Sequence, residues 1–354
     1  MIQYYKNLRD WNISRQIAWG IPIPAFQSTT NPDDWIFDTR VDQPTIDVNG
    51  TTYTREEDTF DTWFSSGQWP FITTDYLTEG ELSRFYPNSV LETGYDILYQ
   101  WVARMIMLGL YATGQVPFKD VYLHGLVLDE HGQKMSKSKG NVINPMDTIK
   151  EYGSDALRLG IIGSRGAGQN QAFATSKVVA GRNFANKLWN IARYIENVLP
   201  EDFELATPTP NTLADHWIIR QLNTAAANIS EQMENYRFAE AAETVYHAIW
   251  DDVADWYIEA SKKQLNPQLL GWVLDTSLRI AHPFAPFVTE AIWQTLEWHK
   301  DELLISSHWP EPLKFDDIAA SEFEQLQALV VETRYVLTEL QTKKYSMLYQ
   351  TDSL

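Results

Sequence analysis

A chain of 354 residues with no cysteine, seven histidines and a formal charge of −19 (28 basic against 47 acidic side chains) is long enough for about two domains, each with its own core. Absence of cysteine excludes disulfide frameworks and thiolate metal sites and fits a reducing cytosol, and the histidines lack metal-ligand spacing, so no protein-held metal is expected. No apolar run could cross a bilayer and Met1 to Lys6 lacks a signal-peptide core, so a soluble cytoplasmic protein with no membrane contact is expected, whose acidic balance confines nucleic-acid binding to a local basic stripe.

Residues 9–19, Arg9-Asp10-Trp11-Asn12-Ile13-Ser14-Arg15-Gln16-Ile17-Ala18-Trp19, read as a short helix that Gly20, Pro22 and Pro24 turn into an extended segment. Hairpin strands follow around Trp35-Ile36-Phe37, then a second pair divided by Asn49-Gly50, a type I′ turn signal. The aromatics and small hydroxyls of Asp61-Thr62-Trp63-Phe64-Ser65-Ser66 are compatible with plain core, although the rigid indole of Trp63 could also shape a small apolar slot.

A strand over Ser89–Thr93, a turn at Gly94-Tyr95 and a helix from Ile97 to Ala112 come next, the helix burying Ile97, Trp101, Met105 and Leu108. Asp96 is placed to cap that helix. Asp120 to Leu128 is the following strand, and strand, helix, strand in that order make a βαβ unit with a right-handed crossover. Its His124-Gly125 pair serves packing as readily as chemistry.

The strand ends in Asp129-Glu130-His131-Gly132 and then Lys134-Met135-Ser136-Lys137-Ser138-Lys139-Gly140-Asn141. Ligands of open α/β sheets bind at the carboxyl ends of strands, where lysine can follow phosphate oxygens on a long stem and serine adds neutral donors. Three lysines alone favour a solvated basic turn. Gly132 and Gly140 are possible hinges for a lid.

Met146 to Ile162 reads as helical, and Gly163 to Gly168 as a hinge, since it lacks the lysine and spacing of a phosphate loop. A long helix then buries Phe184, Leu188, Ile191 and Ile195 and carries Arg182, Lys187 and Arg193 off that stripe. After a proline-rich linker, helices near 212–234, 237–263, 267–281 and 285–298 form a bundle with Trp250, Trp256, Tyr257, Trp272 and Trp293 in its core, and a last amphipathic helix runs through Phe323, Leu326, Val330, Leu337 and Leu340.

The string Lys134-Met135-Ser136-Lys137-Ser138 at the end of an expected strand resembles the signature loop of class I aminoacyl-tRNA synthetases. Residues 10–16 are similar to a string of the valine, isoleucine and leucine enzymes of that family, Ala156-Leu157-Arg158, Tyr236 to Ala242 and His282 to Glu290 to strings of the family at large, and Asp61 to Ser66 and Gly94 to Met105 to strings of its valyl branch. The resemblance implies a Rossmann-like α/β half of a catalytic domain over residues 1–165, an all-α anticodon-binding bundle over 166–315 and the start of a carboxyl-terminal helical arm over 316–354.

It further implies valine, ATP with Mg2+, and tRNA(Val) as substrates and partners of a monomer. Gly94, Asp96, His124, Gly125 and residues Lys134, Met135, Ser136, Lys137 and Ser138 would meet ATP, with Lys134 and Lys137 catalytic. Trp63 and Ile97 would line the amino-acid pocket, and Arg182, Lys187 and Arg193 would face tRNA. The family's His-x-Gly-His signature occurs nowhere in the sequence, so an amino-terminal catalytic half and an editing domain are further expected partners and the isolated chain is expected to be inactive. Trp19-Gly20-Ile21-Pro22-Ile23-Pro24 looks more isoleucyl, which keeps that branch open, and the rival from another class is a non-catalytic tRNA-binding or assembly module.

Overall fold

Short strands punctuated by glycine and proline dominate the first third of the chain and long amphipathic helices the rest. The computed structural model describes residues 1–163, 166–299 and 302–339, except for the side chain of Lys137. Its contacts divide the chain into two compact units, Met1–Leu126 and Val127–Leu354.

In the first unit α1 spans Ile2–Lys6, and β1 (Ser14–Arg15) lies where the sequence suggested a helix over 9–19. The reason is local competition: Asn12 Oδ1 accepts from the Ser14 amide at 3.2 Å and the Arg15 guanidinium donates to the Asn12 carbonyl at 2.6 Å. Strands β2 (Ala25–Ser28), β3 (Trp35–Phe37), β4 (Thr45–Val48) and β5 (Thr51–Arg55) form an antiparallel sheet in the order β3-β2-β5-β4. Asn49 and Gly50, at φ 50° and 83°, make the expected β4–β5 turn, and Phe26, Ile46 and Tyr53 bury one face. β6 (Thr59–Phe60) pairs antiparallel with β1 and leads into α2 (Thr62–Ser66) and α3 (Trp69–Ile72).

The βαβ unit is present as β7 (Asn88–Gly94), α4 (Ala103–Thr113) and β8 (Phe118–His124), with β7 and β8 parallel. A single helix from Ile97 is not what forms: a 3-10 turn over Tyr95–Ile97 and a π turn over Leu98–Val102 precede α4. The wider turn shifts the buried stripe, so Val102, Met105 and Gly109 lie inside while Ile97, Trp101 and Leu108 are half-buried. Asp96 therefore sits within the 3-10 turn, whose cap position is Gly94, and does not cap a helix start as expected.

The strand read as Asp120–Leu128 is divided at Gly125-Leu126. In the second unit β9 (Val127–Leu128) pairs in parallel with β10 (Gln171–Ala172). The expected helix over 146–162 is two helices, α5 (Pro145–Tyr152) and α6 (Ser154–Ile162), separated by Gly153 at φ 94°. Part of the expected hinge, residues 164 and 165, lies outside the described residues.

The bundle contains α7 (Thr175–Val198), α8 (Leu213–Glu234), α9 (Phe238–His247), a π-helical segment Ala248–Tyr257, α10 (Ile258–Ser261), α11 (Pro267–Ala281), α12 (Pro286–Trp293) and α13 (Asp317–Glu339). Phe184, Leu188, Ile191 and Ile195 are buried together with Tyr257, Trp272 and Trp293, whereas Trp250 and Trp256 are half-buried at its edge. Leu340, expected in the last helix, is outside the described residues.

Candidate active site

The last pair of the parallel ladder sets Gly94 opposite His124. Gly94 is buried, and a Cβ there would lie 2.7 Å from Asp96 Oδ1 and 3.6 Å from the His124 ring. Three residues separated by up to 30 positions thus share one strand end, with Asp96 and His124 exposed. His124 Nδ1 lies 2.8 Å from the Gly125 carbonyl, its only possible role there being to donate, and Nε2 lies 3.3 Å from the Glu92 carboxylate. Glu92 was not foreseen, although its place two residues before Gly94 puts both on one face of β7.

Trp63 and Ile97 are both half-buried in the first unit. The backbone amide of Trp63 donates to Asp61 Oδ1 at 2.8 Å, capping α2, and Trp101 Nε1 donates to the Ser66 carbonyl at 3.1 Å, which ties α2 to the π turn. Asp61 is only 6% exposed. It pairs with Arg15 and lies 4.0 Å from Arg104, whose guanidinium stands 3.7 Å over the Trp11 ring. Neither Asp61 nor Arg104 was among the expected site residues; an aspartate directly before a helical run is the sequence signal for the cap.

In the second unit the Leu128–Lys134 bridge brings the lysine string back beside β9. Lys134 and Ser138 are exposed, Met135 and Ser136 are half-buried, and the two serine hydroxyls are 3.2 Å apart. Lys137 opens a 3-10 turn through Lys139. Asp129 and Asn141, not singled out as site residues, bracket the string with side-chain hydrogen bonds.

The three expected tRNA contacts on α7 divide. Arg182 and Arg193, eleven residues apart, return to within about 20° of each other on a helix, and both are exposed. Lys187 faces elsewhere, its ammonium 3.1 Å from Asp255 Oδ1 and 4.5 Å over the Trp250 ring.

Nearer the bundle, Asp155 accepts from the amides of Phe287 at 3.2 Å and Val288 at 2.6 Å, and Arg158 donates to the carbonyls of Pro283 and Phe284 at 3.0 and 3.3 Å. The Ala156-Leu157-Arg158 string and the run from His282 thus grip one another at the start of α12. Among the described residues no cluster of three or more His, Cys, Asp or Glu side chains could hold a metal ion.

The family model for tRNA synthetases class I (I, L, M and V) matches residues 1–173, and that for the anticodon-binding domain of tRNA ligase matches residues 215–348. The chain belongs to the class I tRNA synthetases. Within that family it is 41% identical to the valine–tRNA ligase of Geobacillus kaustophilus over 359 aligned positions, which take in 96% of this chain and 40% of that protein. The valine–tRNA ligase of Staphylococcus aureus strain MRSA252 is 40% identical, again over 96% of this chain and 40% of its own length.

The chain thus spans about 40% of the length of the curated synthetases it matches. Among solved structures, the ternary complex of Agrobacterium radiobacter K84 LeuRS with tRNA and LeuAMS superimposes with a TM-score of 0.72 at 22% identity, covering 86% of this chain and 43% of that one. A Mycobacterium tuberculosis methionyl-tRNA synthetase with methionyl-adenylate gives a TM-score of 0.62 at 19% identity, over 82% and 55%. The synthetase fold, a Rossmann-like α/β region followed by a helical bundle, is the one expected from the sequence.

Proposed function

We propose that the chain is the carboxyl-terminal part of a valine–tRNA ligase, with half of a catalytic domain over residues 1–165, an anticodon-binding bundle over 166–315 and the start of an arm over 316–354. The observation that carries this reading is the grouping of Gly94, Asp96 and His124 at the carboxyl ends of two parallel strands, where α/β folds receive nucleotides. Among the described residues β7 and β8 pair only with each other. Parallel sheets are seldom so small, which supports completion by strands from an amino-terminal half.

In the proposed reaction a carboxylate oxygen of valine attacks the α-phosphorus of ATP. The bond from that phosphorus to the bridging oxygen breaks and pyrophosphate leaves. The valyl group then passes to a hydroxyl at the end of tRNA(Val), and AMP departs.

Gly94 leaves room for the sugar beside Asp96, whose carboxylate accepts from ribose hydroxyls, while His124 and Gly125 lie against the base. Lys134 and Lys137 neutralise the departing pyrophosphate, helped by Ser136, Ser138 and the backbone of Met135. Mg2+ enters with ATP as part of the substrate. Trp63 and Ile97 bound the valine slot, and Arg182 and Arg193 take the tRNA backbone, with Lys187 joining only if it leaves Asp255. The working protein is a cytoplasmic monomer; no described helix is long and apolar enough to cross a membrane.

The test is valine-dependent exchange of pyrophosphate into ATP by the full-length polypeptide. Lys137→Ala should slow exchange about 100-fold and leave valine affinity within about twofold. An unchanged rate removes Lys137 from the mechanism, and exchange driven by isoleucine instead of valine replaces the amino acid.

A further inference from the structure

The lysine string owes its shape to two side chains on either side of it. Asp129 closes the preceding turn: its amide donates to the Gln133 carbonyl and its carbonyl accepts from the Gly132 amide, both at 2.9 Å. Its Oδ1 accepts from the amides of His131 at 3.0 Å and Gln133 at 2.7 Å. Oδ2 takes a further hydrogen bond from Asn141 Nδ2 at 2.7 Å.

The other end of the same carboxamide, Asn141 Oδ1, accepts from the Ser136 amide at 2.9 Å, and Nδ2 also reaches within 3.4 Å of the Lys134 carbonyl. Lys139 then donates its amide to the Ser136 carbonyl at 3.1 Å. One asparagine therefore ties the start, the middle and the return of the loop to a carboxylate that is 8% exposed.

Two further observations fit a preset shape. Gly132 and Gly140 take φ of 74° and 67°, and a Cβ at either would meet nothing within 4 Å, so glycine serves the backbone there and not a close approach. The hydrogen bond from Asn141, followed by that from the Gln133 amide, holds the Asp129 carboxyl below its ordinary value against the opposing push of burial, so the acceptor is charged at neutral pH.

We propose that Asp129 and Asn141 are positioning residues for the signature lysines, fixing the loop in its ATP-ready shape before nucleotide arrives. The inference rests on the function proposed above, because positioning has a consequence for catalysis only if the loop serves ATP. Ordering the loop in advance raises the binding-competent fraction, and an enzyme that loses this order must recover it from nucleotide binding.

The experiment follows that split. In the full-length polypeptide Asn141→Ala should raise the KM for ATP in pyrophosphate exchange about tenfold, with kcat within about twofold, because the loop is ordered once ATP is bound. A folding defect would do the opposite, lowering the active fraction without moving KM. Exchanging the partners, Asp129→Asn together with Asn141→Asp, keeps a hydrogen bond between the two positions and leaves an acceptor for the Ser136 amide. It should return KM to within about threefold of the starting value.

On the chain itself, without nucleotide, Asn141→Ala should speed tryptic cleavage after Lys134, Lys137 or Lys139 about tenfold. An unaltered KM, or no rescue by the exchange, overturns the positioning role, as does unchanged cleavage. Absence of exchange with any amino acid in the unaltered full-length polypeptide would instead overturn the proposed function, with the proteolysis result still deciding whether the two residues order the loop.

Discussion

The carboxylates of the helical region and those at the end of β7 sit in opposite surroundings. Asp215 accepts from Tyr257 at 3.1 Å, from Asn266 at 3.0 Å and from the Asn211 amide at 2.9 Å, all within a buried site. Asp275 is held by His299 and Arg279, each at 2.7 Å, and Asp155 by two amides of α12. Asp96 and Glu92 are exposed. A carboxylate buried among donors of the chain stabilises the chain, whereas one exposed at a strand end stays open to solvent as well. Asp61, buried against Arg15 and capping α2, shows that the first unit uses the bundle's pattern where its own folding requires it.

Removing Asp275 is the harshest test of that contrast. Burial pushes its carboxyl up, but the hydrogen bonds from His299 and Arg279 outweigh burial and hold it below its ordinary value. His299 is stacked on Trp293 with ring centroids 3.4 Å apart, so deletion leaves a cation and an imidazole without their acceptor in the bundle core. Asp275→Ala should cost about 3 kcal/mol, measured by denaturant unfolding at pH 7. Because the native value is depressed, the carboxylate's contribution is complete above the ordinary carboxylate range and fades as pH falls through the native value. The variant and the parent should therefore converge toward acid; an equal gap at every pH would deny the charge any part.

How much of this could be read in advance follows the same division. Helices α7, α8 and α11 announced themselves through sustained spacing of apolar residues, and Phe184, Leu188, Ile191 and Ile195 are buried as that spacing required. The parallel pair and the Asn49-Gly50 turn were also legible. The helix expected over 9–19 was not, because Asn12 and Arg15 satisfy backbone groups that a helix would have used. The start of α4 slipped because a π turn leaves no mark in a period of 3.6 residues.

At the candidate site the resemblance to class I synthetases drew attention to the lysines and to Gly94 and Asp96, which composition and turn chemistry alone leave compatible with a solvated turn and a helix cap. Asp61, Asp129 and Asn141 matter through the nearby amides they reach, and which amide a loop side chain reaches depends on the shape of the loop, which residue type alone does not give. The burial that separates Asp275 from Asp96 is likewise invisible in a list of residues.

Glycine offers a second, milder way to sharpen the comparison. A Cβ on Gly181 would sit 2.7 Å from the Ala156 carbonyl oxygen and 3.1 Å from Ala156 Cα, backbone atoms of the adjoining helix α6 that cannot turn aside. Gly181→Ala should push α6 and α7 apart and cost about 2 kcal/mol in unfolding free energy. At Gly94 the first atom met is the end of the Asp96 side chain, which can rotate. The same change there should cost less than half as much stability, because a side-chain end stands beside Gly94 and backbone stands beside Gly181. Equal losses at both positions would erase the distinction.

Asp252 is the bundle's exception, and the smallest effect is expected from it, with the opposite sign. Burial, then the neighbouring charge of Asp251, pushes its carboxyl up to about 6, against weaker help from Gln221 and His247. It lies half-buried beside a cavity of about 420 Å³ that Gln221, Glu243 and His247 also line. A raised native value means that the fold favours the neutral acid. The penalty is absent below the ordinary carboxylate value, grows between there and about pH 6, and is complete above it. Asp252→Asn removes the charge while keeping shape, so it should stabilise the protein at pH 7.5 by about 1 kcal/mol once solvent screening of the half-exposed group is allowed for, and by almost nothing near pH 4. Urea unfolding of the two proteins at both pH values makes the comparison. A loss at pH 7.5 would place Asp252 with Asp275 among the carboxylates whose charge the bundle needs, and the separation between carboxylates that hold the fold and those that strain it would have to be redrawn around charge pairing alone.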